Sequence, residues 1–258
     1  MSERLNLRIE GATAVLAIAR PERANALDMD LLRAIERACD RIEGEDAVRA
    51  AILTGEGKAF SAGGDIKAWG AMSPQEFGTE WIRLGHRVFD RLASLRMPLI
   101  SAINGHALGG GLELAATADI RVAETQSRIG LPETGLGMVP GWSGTQRLVR
   151  RFGAGVVRRM ALGGEVFLGE EARALGLIDH VAETGGALSR ALELAAGIAE
   201  RGPAAVALAK LMINTAEGES REAGVETLAG ILAAKTGDLR EGVTAFGEKR
   251  APRFQGEW

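Results

Sequence analysis

The chain has 258 residues, and 46% of them are hydrophobic, which suits one large domain or one domain with an appendage. Its formal net charge of −3 argues against general nucleic-acid binding but leaves open a local basic pocket for an anionic small molecule. The single cysteine, Cys39, excludes an intramolecular disulfide. No apolar run follows the charged start and no uncharged stretch reaches membrane-spanning length, so we expect a cytoplasmic protein without a nucleic-acid or membrane partner.

The first half of the chain alternates predicted strands with predicted helices. Alternating apolar and polar residues at 5–10 and 13–19 predict a hairpin. A helical period then extends over residues 27–43, and either Asp28 or Asp30 is placed to cap that helix.

Three further strands and one long helix complete this half. Apolar segments predict strands at residues 48–55, 97–105 and 119–124. Ser73 followed by Pro74 is a favoured start for a helix, and helical spacing continues from there for about six turns. The succession of strand, glycine-rich turn, helix and strand is typical of an α/β protein with crossover connections.

Helical spacing dominates the second half, from a helix predicted to begin near Gly141, and only residues 177–183 interrupt it as a strand. We therefore predict an α/β core at residues 1–195, which carries the site, followed by a C-terminal helical region at residues 196–258. Helices with two apolar faces often pack against a neighbouring subunit, although packing against their own core is equally natural.

The common phosphate-binding and metal-binding motifs are missing from the sequence. Neither a Gly-x-x-x-x-Gly-Lys-Ser/Thr loop nor a Gly-x-Gly-x-x-Gly fingerprint occurs, and the segment "GWSGT" only resembles a nucleophile elbow. The three histidines, His86, His106 and His180, are far apart and have no second ligand at metal-binding spacing, so we expect no metal site.

Two glycine-rich turns follow predicted strands and expose backbone N–H groups. Residues 62–64 follow one strand, and residues 109–111 follow another and open a helix whose first N–H groups have no internal partner. Two such turns can converge on one carbonyl oxygen as an oxyanion hole, in which each donor lowers the barrier by roughly 3 to 4 kcal/mol. Either turn alone is better explained by tight packing between a strand and a helix.

Two glutamates near these turns could supply acid–base chemistry. Glu113 lies one helical turn after Gly110, and its leucine neighbours predict limited hydration, which would raise the pKa of its carboxyl group. The helix dipole also favours an acid there, so a structural role is the alternative. Glu133 lies in a loop rich in proline and glycine, where an ordinary solvent-facing residue is the simpler explanation.

The segments "KAFSAGGDI", "INGHALGGGLELA" and "GLPETGLGMVPGWSGTQRLVRRFG" together resemble the crotonase, or enoyl-CoA hydratase/isomerase, family. The likeness continues through "FLGEEARALGLIDHVA" and "TAFGEKRAPRF", so it covers nearly the whole chain. The resemblance implies an α/β fold in which strand-strand-helix units form a right-handed spiral, followed by C-terminal helices used in trimerisation. It also implies acyl-CoA thioesters as ligands and a homotrimer or a dimer of trimers.

The resemblance further assigns roles to five residues. The N–H groups of Ala62 and Gly110 would hold the thioester carbonyl, and Glu113 and Glu133 match the two glutamates of the true hydratases. Glu113 would deprotonate water for attack at the β-carbon of an α,β-unsaturated acyl group, and Glu133 would deliver a proton to the α-carbon. Gly141 would lend an N–H group to the water site. No cofactor is implied, because coenzyme A is part of the substrate.

A larger set of residues would line the substrate and coenzyme A if the resemblance holds. It comprises basic residues, loop residues beside the pantetheine and residues of the two glycine-rich turns: Arg23, Ala24, Ala26, Leu27, Ala59, Ser61, Gly63, Asp65, Ile66, Lys67, Gly109, Pro132, Trp142 and Lys249. Arg250 is an alternative to Lys249 for reaching a neighbouring subunit's ligand. For most of these charges a solvated surface position is the simpler explanation.

Trp142-Ser143 departs from the hydratase pattern, which usually carries small residues at these two positions. The tryptophan would either narrow the acyl pocket or turn into the helix core, so the acyl chain preference stays open. Hydration is the favoured reaction because both glutamates are present. The alternatives on the same scaffold are double-bond isomerisation, thioester hydrolysis, dehalogenation and retro-Claisen cleavage, and a non-catalytic acyl-CoA binder is the alternative from another class.

Overall fold

The computed structural model describes residues 4–219 and 221–256, and the chain divides into two compact units, residues 1–210 and 211–258. The strands of the first unit are β1 (Leu5–Glu10), β2 (Thr13–Ile18), β3 (Ala50–Gly55), β4 (Ala59–Ser61), β5 (Leu99–Ile103), β6 (His106–Leu108), β7 (Ile120–Glu124), β8 (Arg128–Gly130), β9 (Val166–Leu168) and β10 (His180–Ala182).

The helices of the first unit are α1 (Met29–Glu43), α2 (Ile66–Trp69), α3 (Pro74–Glu76), α4 (Arg83–Ala93), α5 (Gly110–Ala115), α6 (Arg147–Phe152), α7 (Ala154–Gly163), α8 (Gly169–Ala174) and α9 (Ala187–Ala199). A π-helical segment (Phe77–Ile82) joins α3 to α4, and short 3-10 turns cover Pro21–Arg23 and Glu133–Leu136. The helix α10 (Pro203–Ala216) spans the division, and the second unit also contains α11 (Arg221–Ala234) and α12 (Gly237–Gly247).

The larger sheet has the strand order β1-β2-β3-β5-β7-β10. The predicted hairpin β1–β2 is its antiparallel pair, and the strands from β2 to β10 pair in parallel. The strands β3 and β5 are buried along their whole length, as expected for parallel strands with both faces covered. One face is covered by α9, through Ala187, Ala191 and Ala195.

The smaller sheet, with the order β4-β6-β8-β9, determines where the site forms. Its strands β4, β6 and β8 are parallel neighbours, and each directly follows a strand of the larger sheet in the chain. This repetition confirms the predicted α/β architecture of strand-strand-helix units. Because parallel strands end at the same edge of a sheet, the loops after Ser61, Leu108 and Gly130 lie side by side.

Local signals in the sequence explain where the two long predicted helices of the first half begin. Of the two candidate caps for α1, Asp28 is the one used, and its carboxylate accepts the Leu31 N–H at 2.9 Å. Ser73 and Glu76 form a reciprocal capping box at the start of α3, directly before the π-helical segment.

Two predicted boundaries differ from those in the structure. The helix predicted to begin near Gly141 begins at Arg147, because N–H groups before it bond to the Glu113 side chain instead of continuing a helix. The division between units falls after Lys210, later than the predicted boundary at residue 195. Lys210 belongs to the first unit because its ammonium donates to the Met97 carbonyl at 3.1 Å and pairs with Asp119 at 2.8 Å.

The predicted C-terminal region also includes residues 220, 257 and 258, which lie outside the described residues. Within residues 4–219 and 221–256, no helix combines the length and the hydropathy that crossing a bilayer requires.

Candidate active site

A cavity of about 110 Å³ lies where the three loops after β4, β6 and β8 meet. It brings together both glycine-rich turns, both predicted glutamates and a wall of apolar side chains. Its lining comprises Ala62, Gly63, Gly64, Ile66, Trp69, Phe77, Trp81, Ile82, Gly109, Gly110, Glu113, Pro132, Glu133, Leu136, Met138, Val139, Gly141 and Trp142. The predicted convergence of the two turns with the two acids is therefore present in the structure.

The two backbone donors that face each other across the turns are those of Gly64 and Gly110. Gly110 is the first residue of α5, so its N–H has no partner inside the helix. The Gly64 N–H has no acceptor among the residues that the structure describes. The two glycines are close neighbours, since a β-carbon built on Gly110 would lie 3.4 Å from the Gly64 nitrogen.

Ala62, in contrast, does not present the donor that the sequence predicted. Its N–H donates to the carbonyl of Ala24 at 3.0 Å and holds the loop after β2 against the loop after β4. The Gly63 N–H is also engaged, because it donates to the Ser61 hydroxyl at 3.2 Å. The prediction was therefore wrong by two positions, and Gly64 is the residue of this turn with a free N–H.

Buried polar groups fix the turn that carries Gly64. Asn25 is fully buried and its side chain donates to the carbonyls of Glu56 and Ala59, while the Ser61 hydroxyl donates to the Asn25 carbonyl. Arg20 pairs with Asp65 at 3.0 Å, directly after Gly64. These bonds hold the backbone rigidly, as a preorganised donor requires.

The carboxylate of Glu113 is buried and held by the backbone of the next loop. Its Oε1 accepts the N–H groups of Trp142 at 2.7 Å and Gly144 at 2.6 Å. The pKa of Glu113 is raised to about 7, chiefly by burial and in addition by the charge that Glu133 carries when it is ionised. The N–H groups of Trp142, Gly144 and Gly141 lower this pKa, because they stabilise the anion.

The carboxylate of Glu133 has no such partners. Both of its oxygens are buried, and no other described residue donates a hydrogen bond to either of them. Burial raises its pKa above the usual value for a glutamate, and only the residue's own backbone N–H opposes that rise. The Glu133 Oε1 lies close to Gly109, where a β-carbon would approach it to 2.8 Å. A buried acid without donors is stabilised in its neutral, protonated form.

Contacts with α4 hold the loop at residues 141–146 in place. Ser143 adopts a left-handed backbone conformation with φ of 75°, and its hydroxyl lies 3.2 Å from Nδ1 of His86. Arg147 pairs with Asp90 at 2.7 Å. This loop is therefore a shaped support for the Glu113 carboxylate. Gly141 lies at the start of that support. Its N–H interacts with the Glu113 carboxylate, whose pKa it lowers, and not with a separate water site as predicted.

Three tryptophans form much of the apolar wall. Trp81 and Trp142 are both 3% exposed, and their ring centroids are 4.9 Å apart. The Trp142 ring also packs edge-on against Phe89 at 5.3 Å, so this side chain both lines the cavity and enters the helix core. Trp69 packs against Phe77 on the more exposed side.

The residues predicted to bind substrate or coenzyme A fall into three groups. Five of them line the cavity: Gly63, Ile66, Gly109, Pro132 and Trp142. Others are held in the framework behind the turn, with their polar groups bonded to protein atoms: Ala24, Ala26, Leu27, Ala59, Ser61 and Asp65. Arg23, Lys67 and Lys249 are exposed, and Lys249 belongs to the second unit.

Sequence reasoning missed Gly64, Asn25 and the support of Glu113 by residues 141–144. A signal for Gly64 was present, because in "SAGGD" the two glycines leave their N–H groups less covered than Ala62 does. No pattern in the sequence points to the other two, because they depend on contacts between distant segments.

Comparison with known proteins places this geometry in a family. Residues 8–257 match the family model described as "Enoyl-CoA hydratase/isomerase". The chain is 40% identical over 253 residues to a short-chain-enoyl-CoA hydratase of Clostridium acetobutylicum, covering 95% of this chain and 94% of the relative. It is 39% identical over 260 residues to a crotonyl-CoA hydratase of Syntrophomonas wolfei, covering 98% of both.

A solved structure agrees with these sequence matches. The fold is similar to that of an enoyl-CoA hydratase from Bacillus anthracis, with a TM-score of 0.79 and 33% sequence identity. The alignment covers 98% of this chain and 100% of that chain.

Proposed function

Because this chain belongs to the enoyl-CoA hydratase/isomerase family, we infer from its site that it is an enoyl-CoA hydratase. It adds water reversibly to an α,β-unsaturated acyl-CoA and gives the 3-hydroxyacyl-CoA. One observation carries this conclusion: a single cavity holds two neighbouring free N–H groups and two buried carboxyl groups with raised pKa values. Such groups are suited to stabilising an enolate while water and a proton are added.

We propose that the N–H groups of Gly64 and Gly110 bind the thioester carbonyl oxygen. Withdrawing electrons through this oxygen makes the β-carbon electrophilic, and the same donors stabilise the enolate that forms when water attacks. Both donors are fixed before the substrate arrives, so they need no reorganisation during the reaction. Two exposed cations, Arg23 in the turn after β2 and Lys67 in α2 directly after the Gly64 turn, would interact with the phosphates of coenzyme A.

The two glutamates divide the proton transfers between them. The backbone donors on Glu113 support its ionised form, so Glu113 orients the water and accepts its proton. The absence of donors on Glu133 among the described residues supports its protonated form, so Glu133 delivers a proton to the α-carbon. The protonation of the two groups is coupled, because each lies within the electrostatic influence of the other.

Loss of the conjugated thioester absorbance of but-2-enoyl-CoA tests the reaction directly. We expect rapid loss with formation of 3-hydroxybutanoyl-CoA, whereas isomerase, hydrolase or non-catalytic binding activity would give a different product or none. Free coenzyme A thiol would identify hydrolysis, and binding of butanoyl-CoA without turnover of any enoyl-CoA would identify a binder.

The oxyanion donor is tested with a matched pair of variants at Gly64. Gly64→Ala and Gly64→Pro add a β-carbon at the same place, 3.1 Å from Trp81, but only proline removes the N–H. We expect kcat of Gly64→Pro to fall about 10²- to 10³-fold below that of Gly64→Ala. In infrared spectra of bound butanoyl-CoA, the thioester carbonyl stretch should lose part of its shift only in the proline variant. Equal rates in the two variants would contradict the assignment of Gly64.

We propose a homotrimer or a dimer of trimers, because the second unit exposes apolar side chains such as Phe246 (87%), Val243 and Leu232 that an assembly would cover. Sedimentation analysis of the full chain tests this. A role in fatty-acid β-oxidation and a cytoplasmic location are proposed on the same basis as the reaction class, and no cofactor is needed for the steps above.

A further inference from the structure

The cavity that receives the acyl group has a closed end and an open end. Ile66, Leu136 and Val139 are 50%, 64% and 66% exposed, so they mark the mouth through which the thioester enters. Trp81 and Trp142, which are almost completely buried, mark the opposite, closed end. Both rings lie beside the two glycines that carry the backbone donors, since a β-carbon on Gly64 would lie 3.1 Å from Trp81 and one on Gly110 would lie 2.9 Å from Trp142. An acyl group held by these donors therefore lies next to buried indole rings.

We propose that Trp142 closes this end and restricts the enzyme to 2-enoyl-CoA substrates with short acyl groups of about four carbons. This inference rests on the proposed function and extends it to the substrate class. An engineered apolar cavity of roughly 150 Å³ holds one benzene molecule, which has six carbons. The present cavity is about 110 Å³ and must also admit the attacking water, so less space remains for the acyl chain.

The Trp142 ring cannot easily move away to admit a longer chain. It lies between two helices at positions where each lacks a side chain: a β-carbon on Gly85 of α4 would lie 2.0 Å from Nε1, and one on Gly110 of α5 would lie 2.9 Å from Cζ3. Phe89 and Trp81 pack on its faces and edges. The backbone N–H of Trp142 donates to Glu113 Oε1, so displacing the residue would disturb the catalytic carboxylate.

The orientation of the indole nitrogen also favours a role in filling space. Trp142 Nε1 is buried and has no acceptor among the residues described here, which costs stability. A residue selected only for packing would avoid this cost, since phenylalanine or leucine would leave no polar atom buried. At this position the ring therefore contributes its volume and not its hydrogen-bonding group.

The test compares kcat/KM for 2-enoyl-CoA substrates of four, six and eight carbons in the full-length protein. We expect the value for the eight-carbon substrate to be roughly a hundredfold below that for the four-carbon substrate. The ratio of kcat/KM for the four-carbon substrate to kcat/KM for the eight-carbon substrate should fall at least tenfold in Trp142→Ala, because this substitution opens the closed end. Trp142→Leu serves as a second variant if alanine lowers the yield of folded protein, and it should change the ratio in the same direction.

Trp69→Ala is the matched control, because Trp69 also lines the cavity but lies on the more exposed side. It should change kcat/KM similarly for all chain lengths. The proposal is overturned if the unaltered protein uses the eight-carbon substrate as well as the four-carbon one. It is equally overturned if both Trp142 variants keep the original ratio while Trp69→Ala alters it.

Binding of saturated thioesters separates failure of this inference from failure of the proposed function. Butanoyl-CoA and octanoyl-CoA cannot be hydrated, so calorimetry measures cavity depth without turnover. We expect Trp142→Ala to improve octanoyl-CoA affinity relative to butanoyl-CoA by about tenfold or more. If no enoyl-CoA of any length is hydrated, the reaction assignment fails. The change in octanoyl-CoA affinity relative to butanoyl-CoA then decides by itself whether Trp142 limits chain length. An unchanged relative affinity in Trp142→Ala would overturn the inference.

Discussion

The regions around Glu113 and Glu133 hold two identical side chains in opposite ways. The loop at residues 141–144 surrounds the Glu113 carboxylate with backbone donors, whereas the 3-10 turn that begins at Glu133 buries a carboxylate without a donor from any other described residue. Burial raises the pKa of both. At Glu113 hydrogen bonds from three N–H groups of another loop oppose that rise, whereas at Glu133 only the residue's own backbone N–H does.

This contrast shows how one cavity can contain both a base and an acid. Backbone donors stabilise a carboxylate without bringing in a countercharge, so Glu113 can be ionised although it is dehydrated. A carboxyl group that lacks such donors keeps its proton until a better acceptor, such as an enolate carbon, is present. The division of roles thus follows from the backbone around each residue and not from the residue type.

The strongest test removes each acid while keeping its shape. Glu113→Gln and Glu133→Gln should each lower kcat for but-2-enoyl-CoA hydration by about 10²- to 10⁴-fold. Glutamine at position 113 keeps an acceptor oxygen for Trp142 and Gly144, so the loop should remain in place. Affinity for butanoyl-CoA, measured by calorimetry, should stay within a few-fold in both variants. A rate close to normal in either would mean that the proton transfers are assigned to the wrong groups.

A second test adds a β-carbon next to each carboxylate by replacing a neighbouring glycine with alanine. A β-carbon on Gly144 would lie 2.6 Å from Glu113 Oε1, and the surrounding donors leave that oxygen little freedom to move. We therefore expect Gly144→Ala to lower kcat about a hundredfold. A β-carbon on Gly109 would lie 2.8 Å from Glu133 Oε1, but that carboxylate is unbonded and can shift. Gly109→Ala should consequently lower kcat less, by roughly tenfold, partly through strain at its φ of 54°.

Gly135→Ala is the control for both variants. It lies in the same loop region as Glu133, and a β-carbon there would meet nothing within 4 Å. Its kcat should equal that of the unaltered protein. Losses of the same size at positions 144 and 109 would show that the two carboxylates are equally constrained, contrary to the comparison.

The pH dependence of the reaction tests which group must be ionised. With Glu113 as the base and a pKa of about 7, kcat/KM should fall as the pH decreases through 7. Glu133 raises this pKa only when it is itself ionised. Because the proposed mechanism keeps Glu133 protonated, Glu133→Gln should leave the pH midpoint of the remaining activity nearly unchanged. A midpoint at clearly lower pH would show that Glu133 is ionised in the unaltered protein.

The same pKa predicts a pH-dependent cost in stability. A carboxyl group whose pKa is higher in the folded state than in the unfolded state favours folding when protonated, and that contribution is lost as the pH rises from about 4.5 to about 7. Glu113→Gln avoids this loss. In urea unfolding experiments its free energy of unfolding, relative to the unaltered protein, should therefore be greater at pH 8 than at pH 5. The opposite trend would show that the fold stabilises the Glu113 anion.

The sequence was sufficient to predict the parts of this site that depend on local order along the chain. The longer strands β3 and β5, the start of α5 and the position of Glu113 one turn later follow from spacing. The resemblance predicted the family, the fold and the reaction. Convergence of the loops follows from parallel pairing of β4, β6 and β8, strands too short to give a pattern of their own.

The features that could not be predicted depend on hydrogen bonds between backbone N–H groups and acceptors in distant segments of the chain. The Ala62 N–H donates to the Ala24 carbonyl and is therefore not available to a substrate. The backbone N–H of Trp142 donates to the Glu113 side chain and does not form part of a helix. The helix that was predicted to begin near Gly141 therefore begins only at Arg147. The pattern of side chains carries no information about a buried carboxylate that lies thirty residues earlier in the chain, as Glu113 does.

The smallest expected effect concerns the contact that holds the loop supporting Glu113 against α4. His86→Ala removes the hydrogen bond to Ser143 and leaves the strained backbone at φ of 75°, so it should destabilise the fold by about 1 kcal/mol and lower kcat a few-fold. Ser143→Gly loses the same bond but relieves a strain of roughly 1 to 2 kcal/mol, so its stability should match or exceed that of the unaltered protein. In the double variant, His86→Ala should have little further effect, because its partner is already absent. Urea unfolding of all four proteins measures the coupling. Additive losses would show that His86 acts on this region through contacts other than its bond to Ser143.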